Sequence, residues 1–200
     1  MNEETMAYKE IEVKFRSDIA DLTRFCLLCD KLPNLVEYAS VTGPDEYYIK
    51  EEKFIRYRKE SHKGPNGRAE LTTKTKPDGA KNNIVRTEYN VRVDGTPPDA
   101  VRGMIGTLGF QLDFIINKHC WIYRFEDANV VFYTVSDVTD GKARDERAFI
   151  EIEVDEEKLH HMTLDQAQQV IKKYEEALEP LGINAYKRVR KSLFETYSRK

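Results

Sequence analysis

Cysteine is scarce in this chain: Cys26, Cys29 and Cys120 are the only three among 200 residues. So small and odd a number argues against a disulfide framework, and the core must come from apolar packing. The FCLLCDKL pair has half the spacing of a zinc site. No second pair completes it and only four His are present, so a structural zinc centre is not expected. Long apolar runs are missing too, since nothing approaches the roughly twenty residues of a membrane helix. The start, MNEETMAYKE, is acidic rather than basic and then apolar, so no signal peptide, no membrane partner and a cytoplasmic location are expected. Neither charge dominates: 32 Lys and Arg face 35 Asp and Glu, a net charge of -3. That balance disfavours a general nucleic-acid or membrane-surface binder and leaves room for a local basic cavity. No fixed-period repeat, low-complexity tract or linker divides the chain, and 1–200 reads as one domain.

What the chain has in abundance is charge, 34% of its residues, written in strand-like phase. KEIEVKF (9–15) and FIEIEVD (149–155) each carry Glu-x-Glu, with Ile11, Val13 and Phe15, or Ile150, Ile152 and Val154, alternating between the acids. Period-two alternation places the two sets on opposite faces. Like charges sharing a sheet face repel, which costs stability unless something positive lies between them. Strands are expected at about 8–16, 46–50, 53–60, 69–76, 84–93, 112–125, 129–138 and 148–155. Turn-rich KGPNG (63–67), PDGAKNN (77–83) and EDAN (126–129) suit antiparallel neighbours, and TDGKARDER (139–147) reads as a mobile loop.

Four helices are expected between and after these strands. The first, 18–32, carries Ile19, Leu22, Cys26, Cys29 and Leu32 on one face behind a Ser17 cap. The second follows Thr96 and Pro97 with a stripe of Val101, Met104, Ile105 and Leu108. Thr163 and Gln166 open a third over Ala167, Val170, Ile171, Tyr174 and Leu178, ending near Pro180 and Gly182. Tyr186, Val189, Leu193 and Tyr197 mark a fourth.

Across the strands the charges keep one phase: Arg56 and Arg58; Glu70, Thr72, Lys74 and Lys76; Arg86, Glu88, Asn90 and Arg92; Lys118 and Arg124. Two architectures fit. In one, a sheet packs helices on its apolar face and leaves the charged face in water. In the other, the sheet curls into an α+β fold, an eight-stranded antiparallel β-barrel with a charged interior and helices outside. Burying so many ions without a ligand would cost several kcal/mol each. The barrel therefore implies a highly charged ligand. Carboxylate pairs offer the hard oxygens that Mg²⁺ or Mn²⁺ prefers, and Arg forks suit phosphate, so a metal-bound polyphosphate satisfies both sets.

In this order, EIEVKF, FIRYRKE, ELTTKTK, VRTEYNV, LGFQLDFIINK and FIEIEV resemble the motifs of the CYTH domains, or triphosphate tunnel metalloenzymes, over nearly the whole chain. The resemblance implies a tunnel that binds a small-molecule triphosphate or an RNA 5′-end with one or two divalent metals, Mg²⁺ or Mn²⁺. Carried over, Lys14, Arg56, Arg58, Lys74, Lys76, Arg86, Lys118 and Arg124 would hold phosphates. Glu10, Glu12, Glu151, Glu153 and Asp137 would hold metal, and Glu10, Glu12, Lys14 and Glu88 would form the catalytic group. The chain departs from the family at Cys120, where many members have a second basic residue; Arg124 would substitute. Asp137 stands for the acid before the last strand. The implied activity is hydrolysis of tripolyphosphate, thiamine triphosphate or a nucleoside or RNA 5′-triphosphate. A class IV-type adenylate cyclase is the alternative, as is a non-catalytic triphosphate binder or a scaffold acting through its outer helices. Tyr47, Tyr48 and Trp121 are candidates to stack on a substrate ring, although strand aromatics more often belong to a core.

Overall fold

A computed structural model describes residues 6–60, 68–75, 84–155 and 161–199, with side chains from residue 11 and, in the third stretch, from residue 87. The turn-rich pieces at 63–67 and 77–83 lie outside these residues, as does Lys76. The eight strands are β1 (Met6–Ser17), β2 (Leu35–Lys50), β3 (Lys53–Lys59), β4 (Ala69–Lys74), β5 (Ile84–Arg92), β6 (Gln111–Phe125), β7 (Ala128–Asp137) and β8 (Arg144–Val154). All pair antiparallel, in the closed order β1-β5-β4-β3-β2-β6-β7-β8. Closure depends on β1 serving two neighbours. Its first half pairs with β5, Met6 opposite Asn90, and its second half with β8, Ser17 opposite Ala148, the change falling at Glu12.

The outside of the barrel is the principal core. Ile11, Val13, Phe15, Ile150, Ile152 and Val154 point outward and are buried beneath α1 (Leu22–Cys29) and α3 (Leu164–Ala177). Alternation in these strands puts a continuous apolar stripe outside, and α3 supplies Ala167, Ile171 and Tyr174 against it. Thr163 caps α3, donors and acceptors exchanged with Gln166 in a capping box, and Gly182 at φ 68° ends the following turn. A second outer cluster places Val101 and Ile105 of α2 (Pro98–Thr107) over Tyr48, Tyr57 and Ala69.

Several local expectations are corrected. Met104 and Leu108 are about half exposed, so α2 buries a narrower stripe than its sequence suggests. No side chain caps α2, and Thr96 does not take that role. The buried face of α1 centres on Phe25 and Cys29, with Ile19 in solvent. Asp18, not Ser17, caps the preceding 3-10 turn. β2 begins eleven residues before its expected start, at Leu35, and β8 begins at Arg144 inside the stretch read as a mobile loop. The expected fourth helix shrinks to α4 (Leu193–Tyr197). Ahead of it the chain lies along the free edge of β1, where Arg16 N donates to Lys187 O at 2.8 Å and Val189 N to Lys14 O at 2.7 Å.

The interior is not charged throughout. One side is polar, but Tyr47, Phe114, Ile116, Cys120, Tyr133, Val135 and Phe149 form an inward apolar wall that Tyr197 joins from α4. Gly43 sits where β2 passes the end of β3, and a Cβ there would lie 2.2 Å from Lys59 O. Because that neighbour is backbone, it has little freedom to retreat. Gly43→Ala should lower unfolding free energy by about 3 kcal/mol, read from urea denaturation at neutral pH.

Candidate functional site

Inward-facing side chains of six strands meet at one cavity. Glu12, Lys14, Tyr47, Phe54, Arg56, Lys74, Lys118 and Glu151 line it, and Ser192, Leu193 and Phe194 cover one side. It encloses about 60 Å³, or about 460 Å³ with its open mouth. A larger open cleft of about 500 Å³ lies at Arg16–Ile19 and Asp145–Ala148, but its cations stand among Asp18, Asp145 and Glu146 and do not converge.

The strand register explains the convergence. Glu12 stands opposite Glu153 and Lys14 opposite Glu151, so acids and a cation alternate across β1 and β8. Glu12 and Lys14 are only 5% and 3% exposed. Arg56 Nη2 donates to Thr72 Oγ1 at 2.8 Å and lies 3.6 Å from Glu70, while its buried Nε has no hydrogen-bond partner. Lys74 is ion-paired with Glu88, which also accepts from Asn90 Nδ2 at 3.0 Å. Lys118 Nζ stands 3.9 Å over the Tyr133 ring, and that phenol donates to Glu151 at 3.1 Å. Among the described residues, neither Lys14 nor Lys118 has a carboxylate within ion-pair distance.

The cations outweigh burial in setting the acids' charge. Burial raises the pKa of Glu151, but Lys118, Lys14 and Lys74 together hold it below the usual carboxylate range. Burial likewise works against ionisation of Glu88, but Lys74 and Arg56 outweigh it and hold that pKa low. Both are therefore carboxylates at neutral pH.

Other residues named from sequence stand elsewhere or outside the described set. Arg58 gives both its forks to Asp45, at 2.7 Å each, and faces a neighbouring small cavity with Gly43, Lys118 and Cys120. Arg124 is at the far end of β6, ion-paired with Glu37 and partly in solvent. Asp137 accepts from Thr139 and lies 3.2 Å from Arg199, away from the cavity. Glu153 does not line the cavity, and the side chains of Glu10 and Arg86 fall outside the described ones, although their backbones pair. Of the aromatic candidates, Tyr47 lines the cavity, Tyr48 is buried under α2, and Trp121 stacks on His119 at 3.9 Å on the outer face. Sequence reading missed Asp45 and the aromatic lid. Phe54 and Phe194 stack at 4.6 Å and Tyr47 on Phe114 at 4.4 Å, and only Tyr47 had drawn notice.

Among the described residues no three His, Cys, Asp or Glu side chains converge as a ready metal cluster. The donor chemistry nevertheless fits a hard divalent cation. Glu12 and Glu153 are direct cross-strand partners, with Glu151 two residues along. Opposed carboxylates repel, and a cation between them removes that cost.

A closed eight-stranded barrel with a cation-lined interior and apolar outer faces under helices defines a tunnel protein. The chain has the triphosphate-tunnel, or CYTH, fold. The PH1012 protein from Pyrococcus horikoshii OT3 superposes with a TM-score of 0.67 at 22% identity, over 95% of this chain and 99% of that one. A proposed adenylate cyclase from Bacillus halodurans gives 0.62 at 13% identity, over 96% and 98%. A chain of the Schizosaccharomyces pombe Mediator head module gives 0.61 at 9%, over 86% and 95%. No protein-family model and no curated protein matches the chain. No helix among the described residues is long and apolar enough to cross a membrane.

Glu88 and Glu151 bind protons less readily folded than unfolded. Their contribution to stability is complete above the ordinary carboxylate range, near pH 4, and is lost as pH falls through the lower folded values. Urea midpoints measured from pH 7 to pH 2 should therefore drop below about pH 4, and Glu88→Gln should flatten that drop.

Proposed function

We propose that the chain spans a single domain whose tunnel binds the triphosphate end of a small molecule or of RNA and hydrolyses its terminal phosphoanhydride bond with the help of a divalent metal. One observation carries this reading: four cations from four strands, Lys14, Arg56, Lys74 and Lys118, line one buried cavity, and two of them lack a carboxylate partner among the described residues. Buried cations with no counter-ion in direct contact are costly, and a polyanion would give Lys14 and Lys118 the close contacts that Glu151 supplies only at longer range. Fold similarity reaches from a proposed cyclase to a chain of the Mediator head module, so the assignment rests on the site rather than the fold.

Lys14, Arg56 and Lys118 would contact phosphate oxygens, with Arg56 Nε a donor ready for one. Lys74 would share itself between Glu88 and the ligand, and the resemblance adds Lys76 and Arg86. Glu12 and its cross-strand partner Glu153, with Glu10 and Glu151 added by the resemblance, would hold Mg²⁺ or Mn²⁺, which when bound neutralises charge on the phosphates. Tyr133 fixes Glu151 through its hydroxyl, keeping that carboxylate aimed at the cavity. Leu193 and Phe194 cover one side of the cavity, and a ligand larger than its enclosed space of about 60 Å³ would displace them or reach out through the mouth. Hydrolysis is favoured over cyclisation because Phe54 stacks on Phe194 and Tyr47 on Phe114, which engages the cavity's rings with one another rather than with a nucleobase.

With Mg²⁺ or Mn²⁺, the protein should release orthophosphate from tripolyphosphate, ATP, thiamine triphosphate or a triphosphate-ended RNA, followed by phosphorus NMR. Glu12→Gln should reduce turnover by roughly 100-fold while tripolyphosphate binding changes far less. Undiminished turnover in that variant would overturn the reading, and pyrophosphate with cyclic AMP from ATP would replace it with the cyclase.

A further inference from the structure

Asp45 is 0% exposed and lies inside the barrel, on the same face of β2 as Tyr47. Its direct cross-strand partner is Arg58. Both carboxylate oxygens are taken by that guanidinium, Oδ1 by Nε and Oδ2 by Nη2, each at 2.7 Å. This planar two-point grip is the geometry with which an arginine holds a phosphate. The pairing also divides the tunnel cations. Arg56 lines the cavity shared by Lys14, Lys74 and Lys118, whereas Arg58 faces the smaller cavity of Val41, Thr42, Gly43, Glu60, Lys118 and Cys120. Lys118 alone among the cations borders both.

We propose that Asp45 is a built-in stand-in for a phosphate group, occupying Arg58 and so setting how many phosphates the tunnel takes. A ligand that recruited Arg58 would take from a fully buried carboxylate both of its arginine hydrogen bonds and its nearest cation, leaving it against Tyr47 and Ile116 with only Arg56 and Lys118 to offset its charge. That penalty makes Arg58 unavailable while Asp45 is ionised. Burial works against its ionisation, but Arg58, Arg56 and Lys118 outweigh burial and keep it charged. Asp45 is therefore a specificity-determining position, acting through Arg58, and the phosphate chain should end at Lys118. This inference rests on the triphosphate reading of the cavity.

The test is calorimetric titration of linear tripolyphosphate and tetrapolyphosphate into the full chain. Wild type should bind the two within about twofold of each other. Arg56→Ala should weaken both by about thirtyfold, whereas Arg58→Ala should cost about threefold or less. Asp45→Asn should free Arg58, so that tetrapolyphosphate binds about tenfold tighter than tripolyphosphate, and Arg58→Ala added to Asp45→Asn should erase that preference. Equal losses from Arg56→Ala and Arg58→Ala would overturn the proposal, since Arg58 would then leave Asp45 for the ligand. An Asp45→Asn variant that loses affinity for both chains without changing their ratio would overturn it too, reducing Asp45 to a structural counter-ion. Should Asp45→Asn fail to fold, the two arginine variants decide alone. Failure of the wild type to bind either polyphosphate would instead remove the triphosphate reading and the inference with it.

Discussion

Ions buried inside a barrel govern this structure. Each costs several kcal/mol to withdraw from water unless it is matched, and the interior matches most of them by strand register: Arg58 to Asp45, Lys74 to Glu88, Arg56 to Thr72 and Glu70. Lys14 and Lys118 have no carboxylate within ion-pair distance among the described residues, although both act on Glu151, and they meet at one cavity. Had the sheet stayed open, the same side chains would have been solvated and their positions would have carried little consequence. Closure turns an ordinary alternating pattern into a binding site.

Closure in turn depends on the outside. Helices α1, α2 and α3 cover the apolar face that the charged pattern forces outward, and the inverted arrangement, polar within and apolar without, holds because those helices exclude water from Ile11, Val13, Ile150 and Ile152. The interior apolar wall of Tyr47, Phe114, Tyr133 and Phe149 lowers the local dielectric beside the cations. Electrostatic interactions there are stronger than they would be in a water-filled pore.

Much of this was legible in the sequence because strands have a period of two and charges are conspicuous. Glu12, Lys14, Arg56, Lys74, Lys118 and Glu151 could be assigned to one face before any coordinates, and they line one cavity. Other features were hidden for identifiable reasons. The first part of β2 escaped notice because Leu35, Val36 and Tyr38 are exposed, leaving no burial pattern, and because Gly43 and Pro44 are poor strand formers. Asp45 follows that dipeptide and falls one position before the expected strand at 46–50. Arg124 has the phase of Lys118, but phase says nothing of depth along a strand, and six residues at about 3.3 Å each carry it well away. The last residues show helical spacing, yet two backbone bonds to β1 are worth more there than continuing a helix through Tyr186, which is 99% exposed.

The division of β1 between β5 and β8 also bears on synthesis at the ribosome. β1 is made first, but Met6 waits for Asn90 and Ser17 for Ala148 before either edge is paired. At about 5–20 residues per second this leaves the strand unpaired for several seconds or more. A strand with one apolar face held open that long invites pairing with other nascent chains. Charged side chains on an unpaired strand disfavour such pairing, so the Glu and Lys of KEIEVKF suit the unfinished chain as well as the finished tunnel.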